Sequence, residues 1–287
     1  MVIRMQSDRS SAPKVWLAIS VVFLLMFVTP SLRAADAPGR SVLSFNQGWR
    51  FLRMDDPAAK EPDVLNLSDG SWEAVNLPHT VRLEPINAGG GQNFQGVCWY
   101  TRHFTPADAW KDHIIYLRFE GAMSVADVYL NGQKLLTHFN GYQPFTIDIS
   151  KSVKFGIENV LAVRLNNSDN KEVPPGKPQN TLDFCYFGGL YRDVDLIVLD
   201  KLHITDEILA GKVAGGGIFV SYPQVTDAQA QVQVQTDVAN ENTDTRNATV
   251  KQELRDASGA VVASDVSDLS LTAGAGDVKV QKLTVKN

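Results

Sequence analysis

Beyond its first forty residues the chain alternates hydrophobic and polar positions with period two. In HIIYLRFE, residues 113–120, Ile115, Leu117 and Phe119 share one face and Tyr116, Arg118 and Glu120 the other, the spacing of a half-buried strand. The next run, ADVYL, puts Ala126, Val128 and Leu130 on one face and leads into Asn131-Gly132, a pair suited to the two positive-φ positions of a type I′ hairpin turn. Phe145, Ile147 and Ile149 repeat the alternation, as do Leu161, Val163 and Leu165. No helical periodicity is sustained for ten residues in this part of the chain. The expected fold class is all-β, built from sandwich strands.

Two domains are expected. The Pro-rich segment KEVPPGKPQN, residues 171–180, reads as a long connection, because proline cannot donate to a strand ladder and long loops in compact domains are often functional. The strand VDLIVL then closes a first domain, residues 36–200. A second alternating series starts at Leu202, where aromatics become rare and Gln, Thr, Ala and Val dominate runs such as QVQVQTDVAN. This domain, residues 201–287, reads as a smaller sandwich, somewhat shorter than the roughly 100 residues of an immunoglobulin-type fold. It still reads as strand at Asn287, so the expectation is a chain cut before its end.

At the N-terminus Arg4, Arg9 and Lys14 precede the apolar run of residues 15–28, followed by Pro30 and small residues. That is the pattern of a secretory signal peptide over residues 1–35, with cleavage after Ala34 or Ala35 and an exported mature protein. The run is shorter than the roughly 20 residues a spanning helix needs, so no stable membrane anchor is expected. A hydrophobic content of 44% and charged content of 21% are globular values, and a net charge of −5 offers no basic face for nucleic acid. Two cysteines, Cys98 and Cys185, make no metal motif. Two free buried thiols or a disulfide are both open. Histidines 79, 103, 113, 138 and 203 lack ligand spacing, so no metal site and no cofactor are expected. Asn66, Asn166 and Asn247 have the N-x-Ser/Thr form, relevant only in a glycosylating host.

Four stretches occur in a recognisable order: WEAVNLPHT at 72–80, WYTRHF at 99–104, FEGAMSVADVYLNGQKLLTHFNGYQPFTIDIS at 119–150 and GGLYRDVDLIVLD at 188–200. Together they resemble the N-terminal region of glycoside hydrolase family 2, which includes β-galactosidases, β-glucuronidases and β-mannosidases. The resemblance implies a jelly-roll, galactose-binding-like sandwich followed by an immunoglobulin-like one. It also implies that the two carboxylates of a retaining glycosidase lie on a (β/α)₈ barrel after these domains, leaving no catalytic pair in this chain. The implied partners are a β-glycoside substrate and that C-terminal barrel. A freestanding carbohydrate-binding or adhesive protein is the alternative.

Most of the shared motif positions read as structural. His79 is expected to be a hydrogen-bonded turn or core residue, Asn131 and Gly132 to form the hairpin turn, and Arg192 and Asp193 to form a buried or half-buried clasp on the returning strand. Asp183, six residues before Gly189, stands where the resemblance implies a sugar-binding aspartate, since an ionised carboxylate accepts hydrogen bonds from neighbouring pyranose hydroxyls. The other reading of Asp183 is a loop cap bonded to backbone N–H groups. Phe184, Tyr186 and Phe187 either stack on a sugar or fill an interface. The resemblance implies a second contact from an asparagine before the WY strand, Asn87 or Asn93, with Asn87 chosen.

Overall fold

A computed structural model describes residues 39–54, 72–84, 89, 92–184 and 186–286. The expected leader, Asn66, Asn87 and Cys185 lie outside the described residues. The strands are β1 (Arg40–Ser44), β2 (Trp49–Met54), β3 (Glu73–Val75), β4 (Val97–Phe104), β5 (Ile114–Phe119), β6 (Val125–Leu130), β7 (Gln133–Phe139), β8 (Phe145–Asp148), β9 (Asn159–Asn166) and β10 (Val194–Leu199). There follow β11 (Leu202–Ile204), β12 (Ile218–Val225), β13 (Gln229–Asn240), β14 (Arg246–Arg255), β15 (Val261–Leu271) and β16 (Gly276–Lys286).

β1–β10 build a jelly roll from two antiparallel sheets, ordered β1-β10-β5-β8 and β3-β2-β4-β9-β6-β7. Cross-strand pairs share a face, so pairing of Leu117 with Leu196 and of Phe119 with Val194 lines up one buried apolar face. In the other sheet Leu161, Val163 and Leu165 pair with Leu130, Val128 and Ala126, and all six are fully buried. Arg102 enters this core by donating to the Phe45 carbonyl at 3.0 Å and lying over the Phe45 ring. Burial lowers its pKa to about 10. Burial likewise pushes the pKa of the free thiol of Cys98 up, which leaves it a poor nucleophile.

The β6–β7 hairpin turns at Asn131 and Gly132, with φ of 53° and 79°, the left-handed values that an Asn-Gly pair tolerates. The Asn131 side chain does more. Its Oδ1 accepts from the Val160 N–H at 3.0 Å and its Nδ2 donates to Asn159 Oδ1 at 2.8 Å, tying the turn to the start of β9.

The remaining strands form a smaller sandwich. β13 pairs with β11, β12 and β16, and β14 pairs with β15. Val232, Val234 and Leu283 pack with Leu254 and Ala263, and Val238, Leu269 and Leu271 with Leu202, Ala248 and Val250. The jelly-roll sheet meets this sandwich on its second face. Tyr116 is buried and meets the His203 ring edge-on, with centroids 6.4 Å apart, and Arg118 pairs with Glu207 at 2.5 Å. The polar alternate face of β5 is therefore an interface.

Candidate functional site

Register gathers the loops at one end of the jelly roll. Val97 at the start of β4 pairs with Asn166 at the end of β9, which pairs with Val125 at the start of β6. In the facing sheet Phe119 pairs with Val194 and Phe145. The loops before β4, between β5 and β6, between β7 and β8, and between β9 and β10 thus converge. The last of these, 167–193, carries Asp183.

The double glycine fixes that loop. A Cβ on Gly188 would lie 2.6 Å from Asn167 Nδ2. Gly189 has φ of +113°, and a Cβ there would lie 2.6 Å from the Tyr100 hydroxyl and 2.7 Å from the His79 carbonyl oxygen. Only glycine allows backbones to approach this closely. The Gly188 carbonyl accepts from the Val81 N–H at 3.0 Å and from Thr80 Oγ1 at 3.1 Å, and the Gly189 carbonyl from the Met123 N–H at 3.1 Å.

His79 supports this floor. Its Nδ1 shares a 2.8 Å hydrogen bond with the Tyr100 hydroxyl and its backbone N–H donates to the Leu190 carbonyl at 2.8 Å. Burial lowers the His79 pKa, against an opposing pull from Glu73, and burial raises that of Tyr100. Both rings are neutral at neutral pH.

Arg192 and Asp193 hold the returning strand, but both are exposed rather than buried or half-buried. Arg192 Nη1 donates to the Glu120 and Tyr142 carbonyls, each at 3.3 Å. Asp193 accepts from Asn46 Nδ2 at 2.9 Å, and Asn46 Oδ1 accepts from the Val194 N–H at 2.9 Å. The clasp grips carbonyls and an amide at the rim of the sandwich, where solvent reaches both charges.

Asp183 is exposed and makes no hydrogen bond or ion pair among the described residues. No backbone N–H among the described residues caps it. Phe184, 45% exposed, stacks on Tyr186 with centroids 5.7 Å apart, and Tyr142 meets the same ring edge-on at 5.8 Å. Tyr186 is buried and donates its hydroxyl to the Pro174 carbonyl at 3.1 Å, whereas Phe187 remains 43% exposed. Rings of this kind offer an apolar face with fixed orientation.

A cavity of about 20 Å³ among Asn167, Asp169, Pro174, Gln179 and Tyr186 has room for a water molecule but not a sugar. A ligand must meet Asp183 from the solvent side. A cleft of about 710 Å³ lined by Arg40, His203, Ile204 and Glu207 contains none of the sequence-predicted site residues. Among the described residues no group of three or more His, Cys, Asp or Glu is placed to hold a metal ion.

Of the two candidate asparagines the structure describes Asn93. It is buried, with Nδ2 3.4 Å from Gln179 Oε1. Asn167 and Gln179, buried under the loop, gave no sequence signal, because NNSDN and the later Gln179-Asn180 offer several equivalent amides and only packing selects among them.

Fold and site define a two-sandwich β-protein whose jelly roll presents, at one end, aromatic rings and a carboxylate without a partner among the described residues. The family profile described as "Glycosyl hydrolases family 2, sugar binding domain" matches residues 45–200. A β-galactosidase of Thermoanaerobacter pseudethanolicus is 31% identical over 232 residues, covering 80% of this chain and 29% of that protein. A β-glucuronidase of Formosa agariphila is 30% identical over 259 residues, covering 86% of this chain and 26% of that protein. The crystal structure of a Bacteroides uniformis β-glucuronidase superposes with a TM-score of 0.72 at 26% identity, covering 86% of this chain and 28% of that one. The chain belongs to glycoside hydrolase family 2, and it spans less than a third of the length of these relatives.

Proposed function

We propose that this chain is the N-terminal, non-catalytic portion of an exported, retaining β-glycoside hydrolase of the β-galactosidase type, acting in carbohydrate metabolism. Its jelly roll forms one wall of a sugar pocket, and Asp183 accepts hydrogen bonds from sugar hydroxyls there. The second sandwich is an immunoglobulin-like spacer. Cleavage falls to two carboxylates about 5–5.5 Å apart, carried by a barrel outside this chain. Export rests on the basic and apolar pattern of residues 1–35.

The observation that carries the reading is that Asp183, on a loop rich in tertiary hydrogen bonds, has no partner among the described residues. Each charge-assisted hydrogen bond to a sugar hydroxyl contributes about 1.5–3 kcal/mol, so losing one weakens binding by about tenfold or more. Titration of the chain with methyl β-D-galactopyranoside, followed by amide chemical shifts, tests this. Asp183→Asn is expected to lose at least that factor, and equal affinity in variant and wild type removes the sugar contact. Hydrolysis of a nitrophenyl β-galactoside by the purified chain at an enzyme-like rate would overturn the non-catalytic assignment.

A further inference from the structure

We propose that Asn167 and Gln179 are positioning residues that hold the Asp183 loop in its sugar-accepting form; this rests on the reading of Asp183 given above. Asp183 stands between Gln179 and Gly188, and one pair of buried amides pins both of those points. Asn167 is 3% exposed and Gln179 5%, so neither reaches a sugar.

Asn167 Oδ1 accepts from the Gly96 N–H at 3.0 Å, and its Nδ2 donates to the Phe94 carbonyl at 2.6 Å. The same Nδ2 closes on Gly188, so tightly that a Cβ on that glycine would lie only 2.6 Å away. The Asn167 carbonyl accepts from Gln179 Nε2 at 2.5 Å. Gln179 Oε1 faces Asn93 Nδ2, and the Gln179 backbone N–H donates to Asp169 Oδ1 at 2.8 Å. A satisfied buried network rigidifies the segments it joins, and removing one member leaves its partners desolvated without a bond.

The test uses the whole chain. Gln179→Met keeps the side-chain length and removes the amide. The Gln179 N–H, the Leu182 N–H bonded to the Gln179 carbonyl at 3.0 Å, and the Val81 N–H bonded to Gly188 report on the loop. Hydrogen exchange at these amides is expected to speed up about tenfold, with core amides such as Leu117 and Val163 unchanged. Affinity for methyl β-D-galactopyranoside should fall toward that of Asp183→Asn, and the double variant should bind no more weakly than Asp183→Asn alone. Additive losses mark a general structural role and overturn the proposal, as does unchanged exchange in folded Gln179→Met. Should Gln179→Met fail to fold, Asp169→Ala frees the Gln179 N–H from the exposed side, and the same amides decide. Wild-type affinity in Asp183→Asn overturns the sugar reading alone, because exchange measures the anchoring without ligand.

Discussion

Gly189→Ala adds one methyl group where three neighbours leave no space. The Cβ would lie 2.6 Å from the Tyr100 hydroxyl, 2.7 Å from the His79 carbonyl oxygen and 3.3 Å from Thr80 Cα. Neither of the first two can retreat freely. The hydroxyl is bonded to His79 Nδ1, and the His79 backbone is bonded to Leu190. Holding a non-glycine residue at this φ costs about 1–3 kcal/mol, and overpacking adds about 1–3 kcal/mol. At roughly 2–4 °C per kcal/mol for a chain of this size, the combined cost lowers the melting temperature by on the order of 10 °C.

Gly48→Ala supplies the control, because Gly48 has φ of +76° with nothing within 4 Å of a Cβ, and so isolates the strain of about 1–2 kcal/mol. Urea unfolding followed by tryptophan fluorescence compares the two at equal m-value. A Gly189→Ala destabilisation equal to that of Gly48→Ala would refute the close approach at Gly189 and, with it, the explanation of the double glycine.

Asp127 is pushed up by burial, but Lys134 and Thr137, each at 2.6 Å, and Arg164 outweigh this and lower its pKa below the ordinary 3.8. Its stabilisation is therefore complete above that value and lost as pH falls through the lower folded value, so Asp127→Asn should cost about 1–2 kcal/mol at neutral pH in urea unfolding, with a gap to wild type that closes in acid and not in base. Buried Asp206 accepts from the Ile208 and Leu209 N–H groups, both at 2.9 Å, and from Thr146 Oγ1 at 3.2 Å. Asp206→Ala leaves these donors without their acceptor and should destabilise by about 2–3 kcal/mol, measured by the urea midpoint; a change under about 0.5 kcal/mol would show that water replaces the carboxylate.

The strands were legible because period-two burial is local. Leu117, Val128 and Val163 sit on the faces their alternation implies, and the Asn131-Gly132 turn has the positive φ values its residue types suit. The partners of the opposite faces were not legible. Tyr116 and Arg118 read only as the second face of a half-buried strand, yet they meet His203 and Glu207 about ninety residues downstream. Arg192 and Asp193 were recognisable as a clasp by residue type, but their exposure follows from the position of the β5–β6 and β7–β8 loops, which pattern alone does not set. Asp183 was singled out by the family resemblance, which implies an aspartate six residues before Gly189. That no described residue partners it depends on tertiary placement.

That contrast has an energetic consequence for the site. In the 167–193 loop the carbonyls of Asn167, Pro174, Gln179, Gly188 and Gly189 all accept hydrogen bonds, while Asp183 accepts none among the described residues. A carboxylate on a mobile loop would lose conformational freedom on binding a sugar, offsetting much of the charged hydrogen bond. Here buried amides, glycines and Asp169 hold the loop on folding, so in the proposed role the remaining cost to Asp183 is the exchange of its hydrating water for sugar hydroxyls. Under the proposed sugar role, the strength of the carboxylate as an acceptor would depend on buried groups that the sugar never touches, and the double variant of Asp183 and Gln179 measures that dependence directly.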